Sequence, residues 1–214
     1  MESNIDRRIE GRKSGERKQM ELDFKERKKQ YQITEYCHQF ISRHVGNGDI
    51  CIDATAGNGY DTEFLCGLVG PEGKVFAFDI QADALAHTAE RLEHAGMKER
   101  AVLLHAGHEK MQQFVNEEVA AVVFNFGYLP GGDHAIATTA TTSIQAISQG
   151  LDLLRKGGIM SLCIYSGGDT GFEEKEQILS YLKELDPKQW LVIASEYYNR
   201  KNNPPMPVVV IRMK

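Results

Sequence analysis

The sequence predicts an α/β fold built on a seven-stranded, mostly parallel sheet, and three observations predict it. Short apolar runs alternate with longer amphipathic runs along the chain, which is typical of βαβ units. The first strand is followed by a turn that contains Gly57 and Gly59 and then by an amphipathic run, the order found at the ligand site of doubly wound sheets. The last two apolar runs are joined by a loop too short to hold a helix, so these two strands must run antiparallel.

The elements are assigned in chain order from the spacing of their apolar residues. Apolar residues recur at helical spacing from Ile33 to Val45, and Gly-Asn-Gly at 46–48 ends this first helix. Short apolar runs predict five parallel strands, at 50–54, 74–79, 101–105, 119–126 and 158–165. Longer amphipathic runs predict the intervening helices, at 61–69, 82–95, 109–117, about 138–155 and 172–184. Strands 189–198 and 206–213 form the closing hairpin.

The closing hairpin also bears on function. It is typical of the class I S-adenosylmethionine-dependent methyltransferase form of the Rossmann-like fold, whereas nicotinamide-binding domains usually end with another parallel strand. We therefore predict the methyltransferase form for residues 31–214, as a single domain.

Charge is distributed unevenly along the chain. The whole chain has a net charge of −5, but residues 1–30 hold ten Lys and Arg against seven Asp and Glu, which leaves residues 31–214 with −8. Proteins that bind long stretches of phosphate backbone usually have a basic face. Because residues 31–214 are acidic, we expect any nucleic-acid partner to bind through a local basic patch or over only a few nucleotides. The charged extension 1–30 has almost no apolar periodicity, which favours a solvated tail or frayed helix over an RNA-gripping arm. Its segment Ile9-Glu10-Gly11-Arg12 matches a protease site used in expression vectors, so the extension is interpreted as partly vector-derived.

Composition excludes several classes of protein. No apolar run approaches the ~20 residues of a membrane helix, and the N-terminus is charged where a signal peptide would be apolar, so we expect a cytoplasmic protein with no membrane partner. The four cysteines are scattered singly, without a CxxC pair or a histidine cluster at ligand spacing. A disulfide framework and a metal site are therefore not expected.

The turn after the first strand predicts a cofactor site. Residues 52–62 read IDATAGNGYDT, and the glycines allow a tight turn and close approach of a ligand to the backbone. A dinucleotide fingerprint would have a third glycine where Thr62 stands, and Asp61 would repel a pyrophosphate at the helix N-terminus. An ammonium group, such as that of S-adenosylmethionine, suits Asp53 and Asp61 better. Helix capping remains an alternative role for Asp61.

The ends of the next two strands complete the predicted cofactor site. Asp79 lies 20 residues after Gly59, the spacing at which an acid binds ribose hydroxyls, and Ile80 and Gln81 would flank the ribose or the adenine. Its alternative role is that of a helix N-cap. His108 follows the third strand, where such folds place residues beside the adenine, although a lone histidine is also often solvated or capping.

The fourth strand leads into the predicted reacting end. It is wholly apolar until Asn125, after which come an aromatic residue and a glycine-rich loop. Methyl transfer to an amine requires an unprotonated nucleophile held in line and an acceptor for its proton. Asn125 offers oxygens to an amine, Tyr128 can wall the pocket, and Asp133 or His134 could accept the proton. Turn formation alone also explains the glycines and Asp133.

Two further loops bear on the substrate; the loop after the fifth strand lies on the ligand side of the predicted sheet, and the other joins the last two strands. The fifth strand ends in Tyr165-Ser166-Gly167-Gly168-Asp169. The loop 199–207 is rich in amides and could hold a polar or nucleic-acid substrate, or simply connect the hairpin.

Five segments carry a resemblance to a known family. DATAGNGYDTEFL, AFDIQ, FNFGYLPGGDH, TTSIQAI and NNPP, in this order and spacing, resemble the bacterial YtqB/MnmM family over about residues 33–214. Members of that family were long labelled rRNA methylases; they use S-adenosylmethionine to methylate the aminomethyl group of 5-aminomethyl-2-thiouridine at the tRNA wobble position. The chain departs from the family at Tyr60, where many members have His, and at 166–168, where Ser-Gly-Gly replaces a common His-Gly-His. Since these histidines are missing, Asp133, His134 or bulk water is favoured as the proton acceptor.

The resemblance implies a substrate and a set of site residues. It implies the anticodon region of tRNA as the partner, and leaves a homodimer open. It implies cofactor contacts by nine residues, namely Asp53, Thr55, Gly57, Asn58, Gly59, Asp61, Thr62, Asp79 and Gln81. The alternatives are a methyltransferase for another RNA base or a small molecule, and a non-catalytic module that binds S-adenosylmethionine or RNA.

Overall fold

The computed structural model describes residues 31–126, 139–165, 171–200 and 204–214. Its helices are α1 (Ile33–Ile41), α2 (Tyr60–Val69), α3 (Ala82–His94), α4 (Ala140–Leu153) and α5 (Gly171–Lys183). Its strands are β1 (Ile50–Asp53), β2 (Lys74–Asp79), β3 (Ala101–His105), β4 (Val119–Phe126), β5 (Leu154–Ile164), β6 (Trp190–Ala194) and β7 (Met206–Arg212). The predictions for the extension 1–30 and for Tyr128, Asp133 and His134 lie outside the described residues.

The seven strands form one sheet in the order β3-β2-β1-β4-β5-β7-β6. Strands β1 to β5 pair in parallel, and β7 pairs antiparallel with both β5 and β6. The predicted mostly parallel sheet with a closing antiparallel hairpin is therefore confirmed. The chain order reverses between β1 and β4, so the carboxyl ends of these two strands mark the point where a doubly wound sheet binds its ligand.

Strand β4 lies at the centre of the core. It is buried along its length except at Asn125, which is half-buried, because helices cover both faces of the sheet. On one face Val122 and Phe124 belong to the same apolar cluster as Ile147 of α4. On the other face Val123 joins the cluster that contains Leu65 of α2. This packing fixes the carboxyl tip of β4, where Asn125 is the polar residue.

The segment before β4 corrects one prediction. The expected helix 109–117 is a short 3₁₀ helix, His108–Gln113. This connection must carry the chain from the edge strand β3 past β2 and β1 to β4, and a 3₁₀ helix rises about 2.0 Å per residue against about 1.5 Å for an α-helix. Met111 and Val115 are buried in the core, so one short turn is enough to seat the segment's apolar residues.

Two strand boundaries also differ from prediction. Strand β5 begins at Leu154, because Leu154 pairs with Val119 before the register shifts and Ile159 pairs with Ala121. Gly157 has a φ of 74°, which an irregular excursion of this kind requires. Strand β6 ends at Ala194, four residues earlier than expected.

Helix α1 is joined to the far half of the sheet. It packs against β5 and β7, and the Tyr36 hydroxyl lies 3.0 Å from Ser195 Oγ. This position brings one side of the helix to the carboxyl ends of the central strands. No helix in the described part of the chain is long and apolar enough to cross a membrane.

Candidate functional site

A cleft of about 1140 Å³ opens at the carboxyl ends of β1, β2 and β4. Its wall includes eight of the predicted site residues, namely Thr55, Gly57, Asn58, Asp61, Asp79, Gln81, His108 and Asn125. Asp53, Gly59 and Thr62 do not line it. Among the lining residues to which the sequence analysis assigned no contact are His38 of α1, Tyr60 and Phe78.

The glycine turn is held against α3 by a close approach that only glycine permits. Gly59 has a φ of 78°, and a Cβ there would lie 2.9 Å from the Cα of Thr88. The Thr88 hydroxyl donates to the carbonyl of Gly57 at 3.0 Å. Gly59 therefore shapes the turn from behind the cleft wall, and its predicted contact with the cofactor stays a prediction.

Asp79 fastens the turn to the end of β2. Its Oδ2 accepts the Gly57 N–H and its Oδ1 accepts the Gln81 N–H, both at 2.9 Å. The N-cap of α3 is Gln81, so Asp79 does not have the capping role that the sequence left open. A carboxylate has about four lone-pair positions, so two remain after these bonds, and Asp79 lines the cleft.

Asp53 supports the turn from below. It is fully buried, its Oδ1 accepts the Thr55 N–H at 3.1 Å, and its Oδ2 accepts the Thr62 hydroxyl at 2.6 Å. Burial, with a smaller contribution from the charge of Asp61, raises the pKa of Asp53 to about 7. Asp53 and Thr62 therefore brace the turn from inside the protein, because both are fully buried, and their predicted contact with the cofactor stays a prediction.

The raised pKa of Asp53 should make the stability of the fold depend on pH. An acid whose pKa is raised on folding contributes stability below its unfolded pKa, near 4, and loses it as the pH rises through about 7. Asparagine does not ionise, so Asp53→Asn does not lose this stability as the pH rises. The difference in free energy of unfolding between the variant and the wild type should therefore shift in favour of the variant by about 2–4 kcal/mol from pH 4 to pH 8. Urea unfolding across this range measures the difference, with exposed Asp83→Asn as the control. A gain that does not vary with pH would contradict the assignment.

Asp61 joins three elements at the base of the cleft. Its Oδ1 lies 2.5 Å from Nε2 of His38 on α1, and its Oδ2 accepts the Asn125 Nδ2–H at 2.6 Å. The His38 ring also stacks on Phe64, with centroids 3.6 Å apart. The N-cap of α2 is Gly59, so Asp61 does not cap the helix. Since these bonds use one lone pair of each oxygen, the carboxylate can still face a cation.

Asn125 is fixed at both its backbone and its side chain. Its N–H donates to the Thr55 hydroxyl at 2.8 Å, while its Nδ2–H is bound by Asp61. The tip of β4 is thereby attached to the loop after β1. Positions fixed in this way suit a residue that must orient a substrate group.

His38 is the titratable cleft residue bound to Asp61 that sequence reasoning missed. The helix that contains it was predicted from apolar spacing, but no feature of that spacing indicates that α1 packs near β4. The available signal was a histidine within an apolar helix of a protein that needs a proton acceptor. That signal alone does not place the side chain.

His108, which follows β3, also lines the cleft. It is buried, and its Nδ1 lies 3.3 Å from the Ala54 carbonyl oxygen. Its ring meets the edges of the Phe124 and Phe126 rings, with centroids 5.9 Å and 6.0 Å away. Burial lowers the pKa of His108, so the neutral imidazole is favoured. A flat, uncharged side chain in the cleft that Phe78 also lines suits an aromatic ligand group.

The charges of the cleft favour a cation over a phosphate. Five carboxylates line it, at Glu35, Asp61, Glu63, Asp79 and Glu109, and no lysine or arginine is among its described lining residues. An anionic pyrophosphate would meet repulsion at the start of α2, as the sequence predicted. Among the described residues, no three His, Cys, Asp or Glu side chains converge as a metal site requires.

Comparisons with known proteins agree with this chemistry. The family described as "Putative rRNA methylase" matches residues 75–211. A tRNA (mnm5s2U34)-methyltransferase, chloroplastic, of Arabidopsis thaliana is 37% identical over 191 residues, covering 85% of this chain and 69% of the relative.

Two solved structures are also similar. An rRNA-methylase structure from Clostridium thermocellum is 46% identical with a TM-score of 0.80, covering 82% of this chain and 94% of that one. A methyltransferase structure from Streptococcus mutans, in complex with SAH, is 36% identical with a TM-score of 0.78, covering 85% and 98%. SAH is the product that remains when S-adenosylmethionine has given up its methyl group.

Proposed function

This chain belongs to the rRNA methylase family, and from that premise we propose that it N-methylates the aminomethyl group of 5-aminomethyl-2-thiouridine at the tRNA wobble position. It is an S-adenosylmethionine-dependent methyltransferase. The wobble substrate is supported by the relative from Arabidopsis thaliana, whose name states that activity and which matches most of this chain. The proposal for the site rests on one observation, the fixed Asn125 beside Asp61 in an acid-lined cleft.

The residues of the cleft fit S-adenosylmethionine. When bound, this cofactor supplies an electrophilic methyl group on a positively charged sulfur. We assign its ribose hydroxyls to Asp79, its cationic methionine end to Asp61, and its adenine to the apolar floor that includes Phe78 and His108. The acidic lining stabilises the positive charges of the cofactor, and the close-packed glycine turn leaves the backbone accessible.

Asn125 is proposed to orient the substrate amine. Its Nδ2–H is bound by Asp61, and its side-chain oxygen has no partner among the described residues, so that oxygen can accept an N–H of the amine. An alkylammonium is protonated near neutrality, so the site must also remove a proton before the lone pair can attack. Orientation and proton removal are together the main tasks of the protein in a single displacement.

The proton acceptor is proposed from three candidates. Asp133 and His134 remain predictions, because they lie outside the described residues, and Tyr128 remains a predicted wall of the pocket for the same reason. The structure adds His38, whose Nε2 is bound by Asp61 in the manner that orients catalytic histidines. A histidine oriented by a carboxylate through one ring nitrogen can take a proton on the other.

Covalent catalysis by cysteine is not part of the proposal. All four cysteines are described, all are buried, and none lines the cleft. Burial raises the pKa of Cys51 and of Cys66 to about 12, which disfavours the nucleophilic thiolate. Methylation of a pyrimidine carbon commonly needs such a thiolate, whereas methylation of an amine does not.

Cys163→Ala should therefore keep methyl-transfer activity within about twofold of the wild type. Cys163 is buried on β5, and its Sγ lies 3.6 Å from that of Cys37, so the substitution removes one contact outside the cleft. Initial rates with saturating cofactor measure the effect, and thermal unfolding checks the fold. Loss of activity in a folded variant would reopen the nucleophilic route.

The function is tested with defined tRNA. Purified protein and S-adenosylmethionine are incubated with tRNA that carries 5-aminomethyl-2-thiouridine, with the same tRNA lacking the aminomethyl group, and with ribosomal RNA. Nucleoside mass spectrometry should show one added methyl group in the first sample only. A methyl group on another base, or on ribosomal RNA, would instead favour the alternative of a different RNA substrate.

Partner and location follow from this substrate. We propose the anticodon region of tRNA as the partner, because an acidic body suits recognition over a few nucleotides. We propose the cytoplasm as the location, and the homodimer stays a prediction.

A further inference from the structure

A second groove lies on the outer flank of the glycine turn. It has a volume of about 600 Å³ and runs between the start of α2 and the exposed side of α3. Tyr60, the first residue of α2, lines both this groove and the cleft. The groove therefore borders the cleft at the start of α2.

The Tyr60 ring presents one open face. The guanidinium carbon of Arg91 lies 3.7 Å from the ring centroid, so this group covers one side of the ring. Tyr60 is nevertheless 63% exposed. Since one face is covered, the exposed area must belong mainly to the other face and the ring edge.

Arg91 is held in place from three sides. Its Nε–H donates to the Asn58 carbonyl at 2.7 Å, its Nη1–H donates to Glu63 at 3.0 Å, and its plane lies on Tyr60. The Asn58 bond joins this arrangement to the glycine turn of the cofactor cleft. A ring fixed before binding loses little conformational entropy when a partner stacks on it.

We propose that the Tyr60–Arg91 pair is a stacking platform for a nucleobase of the RNA substrate that neighbours the methylated nucleotide. This inference rests on the proposed function, because it identifies how that substrate is held. Aromatic side chains and arginine planes are the groups on which unpaired RNA bases stack.

Charge favours a base over the phosphate backbone as the group that contacts this platform. Glu63 forms an ion pair with Arg91, and Glu90 adds a further negative charge to the groove. A phosphate would gain little here, whereas a π-face stacks without regard to charge. Such contact also explains how a body with a net charge of −8 could hold RNA over few nucleotides.

The test compares Tyr60→Phe with Tyr60→Leu in the full chain saturated with SAH. The ligand is a synthetic anticodon stem-loop that carries 5-aminomethyl-2-thiouridine, and fluorescence anisotropy gives its Kd. Tyr60→Phe keeps the ring and should bind within about twofold of the wild type, whereas Tyr60→Leu should bind roughly 5- to 100-fold more weakly. The loss of affinity in Tyr60→Leu should be equal at low and at moderate salt, because stacking releases no counterions. Calorimetry should show unchanged affinity for SAH in both variants.

A scan of abasic sites through the loop identifies the stacked base. One abasic position should weaken binding to the wild type as much as Tyr60→Leu does, and should not weaken binding to Tyr60→Leu further.

Several outcomes would overturn the proposal. If the wild type methylates the tRNA but Tyr60→Leu binds the stem-loop equally well, the platform is wrong and the proposed function stands. If Tyr60→Leu loses SAH affinity to the same degree, Tyr60 acts through the cofactor cleft instead. If the wild type methylates no tRNA but binds the stem-loop through Tyr60, the proposed function fails and the platform stands. If the wild type neither methylates tRNA nor binds the stem-loop, both fail.

Discussion

Replacing Asp79 by alanine should weaken the binding of S-adenosylmethionine by about 1.5–3 kcal/mol, roughly 10- to 150-fold in Kd. The substitution removes the acceptor proposed for the ribose hydroxyls, and it also frees the N–H groups of Gly57 and Gln81. The glycine turn then loses its attachment to β2, so binding suffers both from a lost contact and from a loosened site. Calorimetric titration with S-adenosylmethionine or SAH measures the effect.

Asp79→Asn separates these two causes. Asparagine can still accept one of the backbone N–H groups but carries no charge, so it should bind more tightly than Asp79→Ala and less tightly than the wild type. Asp83→Ala, an exposed acid in the first turn of α3, is the matched control and should leave the Kd unchanged. Wild-type affinity in Asp79→Ala would mean that Asp79 serves only to hold the turn.

The fold was predicted well because the elements of a doubly wound sheet follow from the spacing of apolar residues within short stretches of the sequence. The apolar run of β4 and the alternation of short and long runs require no knowledge of distant contacts. The antiparallel hairpin followed from loop length alone. The 3₁₀ helix at His108–Gln113 was missed because its form depends on the distance that the chain must cover, which the local pattern does not contain.

The candidate site was predicted in part for the same reason. Asp79 and Asn125 end strands, and the ends of neighbouring parallel strands meet, so position along the chain was enough to place them in the cleft. Whether a carboxylate at such an end faces the ligand or the core depends on tertiary packing. Asp53 therefore appeared equivalent to Asp61 in the sequence, yet Asp53 is fully buried and Asp61 lines the cleft. His38 comes from a helix whose docking on β5 and β7 no local pattern reveals.

The arrangement around Asp61 links positioning to catalysis in one network. A single carboxylate binds His38 from α1 and Asn125 from β4, and both partners line the cleft. Removing either partner leaves an oxygen of Asp61 without that bond at a partly buried site. The two substitutions are nevertheless expected to differ, because an amide can orient an amine but cannot take its proton, whereas an imidazole can.

Asn125→Ala should lower kcat for methyl transfer by roughly 10²-fold or more, with the Kd for S-adenosylmethionine within a few-fold of the wild type. The loss should appear in kcat because the proposed bond to the amine matters most when the nucleophile is aligned with the methyl group. Asn116→Ala, an exposed asparagine shortly before the other end of β4, is the control. A normal kcat in Asn125→Ala would remove Asn125 from the reacting end.

His38→Ala should lower kcat by roughly 10²–10⁴-fold if His38 is the proton acceptor, and it should also change the dependence of kcat on pH near neutrality. A residue that only positions Asp61 would lower the rate without changing the shape of that profile, so the profile separates the two roles. His44→Ala is the matched control, since His44 follows the same helix but binds the Gly157 carbonyl. His134→Ala, measured in parallel, tests the acceptor predicted from the sequence. If His38→Ala keeps the wild-type profile while His134→Ala changes it, the proton passes to the loop after β4, and the His38–Asp61 pair serves to hold Asn125 in place.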